Sequence, residues 1–284
     1  MSRRGEGNIA TILLILLIAF LLTLILHGLL KSRRPAAAKD DIDLSDDRAE
    51  NGRNEITKSK TRKDTRQSGQ IYDGVIHTQN PANETLHYHV YFPEREFQNE
   101  RLPVLVCVAG LGAKGSIYRD DPAWRQYCDN RGFVMIAPSF RFDKQDWNNK
   151  QSFQYPKVWS GDALFQIIRE VGKIKAVDIG RIYLFGFSAG AQFVHRFALL
   201  YPDNVPAAAA IAAGGYTYPS HRISTKFFIG VGQNDHDRLK RAKRFINKAN
   251  ALSIDARLHV MPGVGHRLNQ GQVAMSMEFF RENY

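Results

Sequence analysis

The sequence predicts an α/β fold, a mainly parallel sheet covered by helices on both faces and entered through an antiparallel hairpin. Three observations predict it. From residue 69 onward strand-like runs alternate with helix-like ones, the order that right-handed crossovers convert into parallel neighbours. The inner runs, such as "PVLVCVAG" at 103–110, are continuously apolar, as strands buried on both faces must be. Finally, "IYDGVIHT" and "TLHYHVYFP" are β-rich runs divided only by "QNPANE", the spacing of a hairpin.

Taken in chain order, residues 1–8 form a short polar tail. Residues 9–26, "IATILLILLIAFLLTLIL", hold no charge, and continued to residue 30 they reach the ~20 residues that cross a bilayer core as a helix. A cleaved signal peptide has an apolar region of only ~7–15 residues ending near small residues. Here Lys31, Arg33 and Arg34 stand between the run and Ala36-Ala37-Ala38, so 9–30 reads as a single uncleaved transmembrane anchor and the chain as a single-pass membrane protein. Basic residues flank both ends, and the positive-inside rule leans towards a cytoplasmic C-terminal side. A short N-terminal tail before a lone anchor argues the other way, and the extracytoplasmic side is favoured. Residues 31–68 are polar and poor in large apolar side chains, too little to offset ordering entropy; they read as a flexible tether.

The remainder, 69–284, reads as one domain without internal repeat. After the hairpin and the 103–110 strand comes a helix near 122–130, then the buried strand "FVMIAPSF" and a helix over about 158–177. The run "RIYLFGF" leads directly into "SAGAQFVHRF", a strand turning into a helix. "AAAAIAA" and "KFFIGVG" are further strands, with a helix at about 238–251 after the second. "ARLHVMPG" is the last strand and 270–282 the last helix.

The formal net charge is +11, of which 69–284 carries +7. That region has no nucleic-acid-binding motif and no basic stripe with interleaved aromatics, so nucleic acid is not an expected partner. The densest basic segment, 238–244, falls on an amphipathic helix and reads as a solvated face. The two cysteines, Cys107 in a strand and Cys128 in a helix, read as buried thiols rather than a bridge.

In parallel sheets the working groups gather on loops at the carboxyl ends of strands, and three such ends carry reactive side chains. Gly186-Phe187-Ser188-Ala189-Gly190 places Ser188 on a sharp strand-to-helix turn, its hydroxyl at the positive end of a helix. Asp235 follows "KFFIGVG" and His266 follows "RLHVMPG". The histidine would take the hydroxyl proton and return it to the leaving group, while the buried acid fixes its tautomer. Asp237 is the rival acid; being further from the strand end, it reads instead as a helix cap. His236 competes with His266, but it adjoins the acid and has no strand of its own. The developing oxyanion needs N–H donors: Ala189 directly after the nucleophile, and Leu111 or Gly112 after the 103–110 strand.

In the order Ala109–Gly112, Gly186–Gly190, Gly232–Asp235 and Gly265-His266, residues from about 100 to 284 resemble the α/β-hydrolase superfamily. Within it they resemble the esterase branch of polyhydroxybutyrate-depolymerase-like and feruloyl-esterase-like proteins. The resemblance implies a serine carboxylic-ester hydrolase acting on small or polymeric esters through an acyl-enzyme, with no metal or organic cofactor. Many members carry His-Gly where this chain has Ala109-Gly110. A peptidase or acyltransferase would use the same triad, and a catalytically silent hydrolase fold used for binding is the alternative outside enzymes.

Other candidates have plainer readings. His195, on the helix after Ser188, reads as a packing or solvent residue. His87 and His89 share a strand face without a further ligand cluster, so no metal site is expected. For substrate contact the candidates are Phe187, Tyr216, Tyr218 and Trp147, together with Phe142, Phe153, Tyr155 and Trp159. Ordinary packing is the alternative for each aromatic.

Overall fold

The computed structural model describes residues 70–94, 101–142 and 151–284. The tail, anchor and tether expected at 1–8, 9–30 and 31–68 lie outside the described residues, as does Trp147. Among the described residues no helix is long and apolar enough to cross a membrane.

Eight strands form one sheet: β1 (Gln70–His77), β2 (Thr85–Phe92), β3 (Leu102–Val108), β4 (Val134–Pro138), β5 (Val177–Phe187), β6 (Ala207–Ile211), β7 (Lys226–Gly232) and β8 (Ala256–Met261). Their order is β1-β2-β4-β3-β5-β6-β7-β8. The β1–β2 hairpin is antiparallel, as expected, and joins the rest through an antiparallel β2–β4 pair. From β4 to β8 every neighbouring pair is parallel. The helices are α1 (Ser116–Arg119), α2 (Pro122–Arg131), α3 (Ser160–Gly172), α4 (Ala189–Leu200), α5 (His236–Asn250) and α6 (Gln270–Glu282).

Residue alternation assigns each inner strand to two cores. On β3, Val104, Val106 and Val108 face one core, and Leu105 and Cys107 face the other, the period of two that a pleated strand imposes. The first core receives Leu164 and Ile168 of α3, Phe193 and Phe197 of α4, and Ala242 and Phe245 of α5. The second receives Trp124 and Cys128 of α2 and Phe279 and Phe280 of α6. Helices therefore cover both faces, and burial of apolar surface at about 25 cal/mol per Å² holds them there. Cys107 and Cys128 are both buried and unbridged, and burial pushes both thiols up.

Two boundaries differ from expectation. The third helix ends at Gly172, not near 177, and β5 begins at Val177 rather than at Arg181. The cause is an irregularity: Leu102 and Pro103 pair with Val177 and Asp178, but Val104 pairs with Ile182. The intervening residues loop out, with the Asp178 carboxylate accepting from Gly180 N–H at 2.9 Å and from Arg181 at 2.8 Å. A polar, bulged start hides a strand from periodicity. Helix α2 begins where its signals lie: Asp121 accepts from Ala123 N–H at 2.8 Å, Pro122 takes the first turn, and Gly132 ends the helix at φ 73°.

Candidate active site

Strand β5 is hydrogen-bonded on both sides, to β3 and to β6, up to its last residues. Ser188 follows with φ 55° and ψ −111°, a conformation that costs a non-glycine residue roughly 1–3 kcal/mol. The surroundings impose it. Ser188 N–H donates to the Ile211 carbonyl at 2.8 Å, and the Ser188 carbonyl accepts from Gln192 N–H at 3.1 Å as α4 starts. The flanking glycines are required sterically: a Cβ on Gly186 would lie 2.5 Å from the Gly190 backbone, and one on Gly190 would lie 2.0 Å from the Val108 carbonyl oxygen.

Gly190→Ala is accordingly expected to destabilise the domain by at least about 3 kcal/mol, a fall in Tm of roughly 6–12 °C for a domain of this size. Gly265→Ala, with nothing within 4 Å of the added methyl, should stay within about 0.5 kcal/mol of wild type. Thermal unfolding of the two variants checks the pair, and equal stabilities would contradict the steric account.

The acid and the histidine arrive on loops that are pinned together. A Cβ on Gly232 would lie 2.2 Å from the Val264 carbonyl oxygen. Gln233 N–H donates to Met261 O at 2.8 Å, and Asn234 N–H to Val264 O at 2.9 Å. The result is a continuous hydrogen-bonded chain: Ser188 Oγ to His266 Nε2 at 3.1 Å and His266 Nδ1 to Asp235 Oδ2 at 3.0 Å. Phe187 stacks on the imidazole, centroids 5.2 Å apart and planes at 19°, which restricts how the ring can turn.

Asp235 is only 7% exposed. Burial alone would raise its pKa, but the hydrogen bond from His266 and the charge of Arg238 outweigh it and hold the carboxyl below the usual range. Arg238, in the first turn of α5, reaches Asp235 Oδ1 at 3.3 Å. This partner was missed in the sequence; its position three residues after the acid, on the following helical turn, was the available signal. The expected cap is also reassigned. Asp235 itself occupies the N-cap position of α5 without capping it, its side chain being turned to His266, and Asp237 sits exposed in the first turn. His236 is exposed.

Ala189 is the first residue of α4, so its N–H has no intrahelical acceptor. The loop after β3 comes close to Ser188: a Cβ on Gly110 would touch Ser188 Cβ at 3.5 Å. Ala113 N–H bonds back to Gly110 O at 3.3 Å, and Gly112 has φ 77°, the left-handed conformation that glycine adopts without strain. Leu111, between them, keeps its N–H out of the backbone hydrogen bonds of the described residues. Ser188, Ala189 and the 110–113 loop are thus brought together at one end of the sheet.

The aromatic candidates divide. Tyr216 packs between His195 and Phe245 with centroids 4.9 and 5.0 Å away, and burial, with the nearby Asp235 charge, raises its phenol pKa well above normal. Tyr218 is exposed. Phe142 lies near Gly112, whereas Phe153 is buried and stacked on Phe140 at 5.0 Å. Tyr155 lies under the Arg196 guanidinium, 4.2 Å away. His195 is fully buried, hydrogen-bonded through Nδ1 to Ala191 O at 2.8 Å and accepting from Thr217 N–H at 3.0 Å. Burial pushes its pKa down to about 3, so it is a neutral packing staple. His89 is bonded to Asp73 and Ser139. Among the described residues no group of three or more His, Cys, Asp or Glu side chains is placed to hold a metal.

This sheet order, with a strained serine after β5, an acid after β7 and a histidine after β8, defines the α/β-hydrolase fold, and the chain has that fold. The resemblance drawn from the motifs agrees with the comparisons. The chain is 26% identical over 132 residues to feruloyl esterase B of Thermothelomyces thermophilus, a match covering 46% of this chain and 44% of that protein. It is 27% identical over 108 residues to a bifunctional acetylxylan esterase/xylanase of Neocallimastix patriciarum, covering 38% and 15%. The matches span less than half the length of either curated relative. The solved poly(3-hydroxybutyrate) depolymerase LpqC of Bordetella parapertussis shares the fold at a TM-score of 0.54 and 21% identity, over 76% of this chain and 90% of that one. No family model matches the chain.

Proposed function

We propose that the chain is a serine carboxylic-ester hydrolase, tethered to a membrane through residues 9–30. The observation that carries the enzymatic part is the Ser188–His266–Asp235 hydrogen-bonded chain, with links of 3.1 and 3.0 Å, beside N–H groups at Ala189 and Leu111. Ser188 Oγ attacks the ester carbonyl as His266 Nε2 takes its proton, and Asp235 stabilises the imidazolium. Ala189 and Leu111 N–H groups hold the tetrahedral oxyanion, with Gly112 shaping the loop. The imidazolium then protonates the departing alcohol, leaving an acyl-enzyme. Water activated by the same histidine releases the acid and restores Ser188. Phe187, stacked on His266, and Phe142, beside Gly112, border this site and contribute apolar contact to the acyl or alcohol group. The names of the curated relatives direct attention to feruloyl and acetyl esters.

The test is turnover by residues 69–284 across acetyl, butyryl, hydroxybutyryl and feruloyl esters, with a matched peptide amide. Ester turnover at least about a hundredfold above amide turnover is expected. Equal or faster amide cleavage supports a peptidase, and added alcohols capturing the acyl group in preference to water support an acyltransferase. No turnover by folded protein overturns the proposal. Tethering is supported by the uncharged 9–26 run, and the short tail before it favours the extracytoplasmic side for the domain. The full chain should stay with membranes under alkaline carbonate and residues 69–284 should not. Protease reaching the domain in intact cells, but not in inverted vesicles, supports that side.

A further inference from the structure

A second serine–histidine–aspartate chain lies within the described residues. His89, on β2, places Nδ1 2.6 Å from Asp73 Oδ1 of β1 and Nε2 2.9 Å from Ser139 Oγ, just after β4. Arg119 of α1 also reaches Asp73 Oδ1, at 2.9 Å, and the side chains of His89 and Arg119 are 14% and 9% exposed. One assignment of protons satisfies every link. The Asp73 carboxylate can only accept, so a neutral His89 carries its proton on Nδ1 and donates it there; His89 Nε2 then accepts from the Ser139 hydroxyl, whose oxygen accepts from Gly115 N–H at 2.9 Å.

This arrangement is not a second nucleophile. Ser139 Oγ already accepts a backbone N–H, which draws electron density from it. Its backbone is not in the positive-φ region that marks Ser188. The informative feature is where the chain ends. Gly115 closes the loop that begins at Ala109 and carries the Leu111 N–H. At one end of that loop Gly110 abuts Ser188. At the other, Gly115 lies so close to the end of β4 that a Cβ would fall 2.2 Å from the Ala137 carbonyl oxygen. Arg119, on the helix that starts directly after Gly115, closes the network into a ring.

We propose that His89 is a positioning residue for the oxyanion hole. It fixes the rotor of the Ser139 hydroxyl so that Ser139 Oγ accepts from Gly115, and the anchored loop then aims Leu111 N–H at the developing oxyanion. The inference rests on the reading of Ser188 as nucleophile and Leu111 as donor. Because loss of an entire oxyanion donor costs about 10²–10³ in kcat, loosening one costs less, roughly tenfold.

The experiment compares full-length wild type, Ser139→Ala, Ser139→Thr and His89→Gln by kcat, KM and inhibition. One inhibitor is a trifluoromethyl ketone, whose hemiketal carries an oxyanion; the other is the product alcohol, which presents no anionic oxygen to the Leu111 N–H. Ser139→Ala and His89→Gln should lose about tenfold in kcat with KM within about twofold. Their trifluoromethyl ketone Ki should rise by the same factor as kcat/KM falls, product binding should be unmoved, and Ser139→Thr, which keeps the hydroxyl, should restore both. Folded Ser139→Ala with wild-type kcat and Ki overturns the proposal. So does a loss shared equally by hemiketal and product binding, or a lowered Tm with unchanged turnover per folded molecule. Failure of the underlying reading is visible separately, as a wild-type enzyme that neither turns over esters nor binds the ketone.

Discussion

Ser188→Ala is expected to lower kcat for ester hydrolysis by roughly a millionfold, His266→Ala by a similar factor, and the double variant by no more than either alone. The equality is the informative part. An alcohol oxygen is a weak nucleophile until its proton has somewhere to go, and the 3.1 Å link from Ser188 Oγ to His266 Nε2 supplies that path. Without the hydroxyl the imidazole has nothing to activate, and without the imidazole the hydroxyl keeps its proton. Removing the second partner therefore removes nothing further. Residual turnover should come from the Ala189 and Leu111 N–H groups and from binding. Rate measurements on the three variants, with circular dichroism confirming the fold, check this. Losses that multiply would mean that the two side chains act in separate steps.

Asp235→Asn should cost about 10⁴-fold in kcat, while Asp237→Asn stays within about twofold. Arg238 is what makes the first effect so large. Its guanidinium faces Asp235 Oδ1 at 3.3 Å and accepts no donor in return, so an amide placed there turns its oxygen towards Arg238. The NH₂ then faces His266 Nδ1 and locks the tautomer whose Nε2 carries a proton and cannot accept one from Ser188. The same carboxyl sets a pH dependence. Its pKa is held below the usual range, so its contribution to folding is complete above the unfolded value of about 3.9 and drains as pH falls through the lower folded value. Wild type should lose stability over that acid range more steeply than Asp235→Asn, and Asp235 should stay ionised throughout the neutral range in which rates are measured. An Asp235→Asn variant with near-wild-type kcat would return the acid's role to another side chain.

Much of the scaffold was readable because burial writes itself into composition. Strands β3, β4 and β6 are buried along their full length and appear as unbroken apolar runs, and α6 runs over 270–282 as expected. That Ser188, Asp235 and His266 would meet was readable because a parallel sheet gathers the loops after β5, β7 and β8 at one end. What stayed hidden depends on pairing between distant segments. The first residues of β5 pair with Leu102 and Pro103 through a bulge that no local pattern signals. Helix α1 has four residues, too short for periodicity. Tyr216, legible only as an aromatic near a strand end, packs behind the acid against His195 and Phe245. The Asp73–His89–Ser139–Gly115 ring joins four separated segments, and nothing in the sequence around any one of them announces the others.

The most direct test of the central claim is covalent. Purified residues 69–284 are treated with a fluorophosphonate, and the modified residue is located by intact mass and peptide mapping. One equivalent is expected on Ser188, none in the Ser188→Ala variant, and far slower labelling in His266→Ala. A folded domain that remains unmodified, or that carries the phosphonyl group on Ser139 or any other hydroxyl in place of Ser188, contradicts the account.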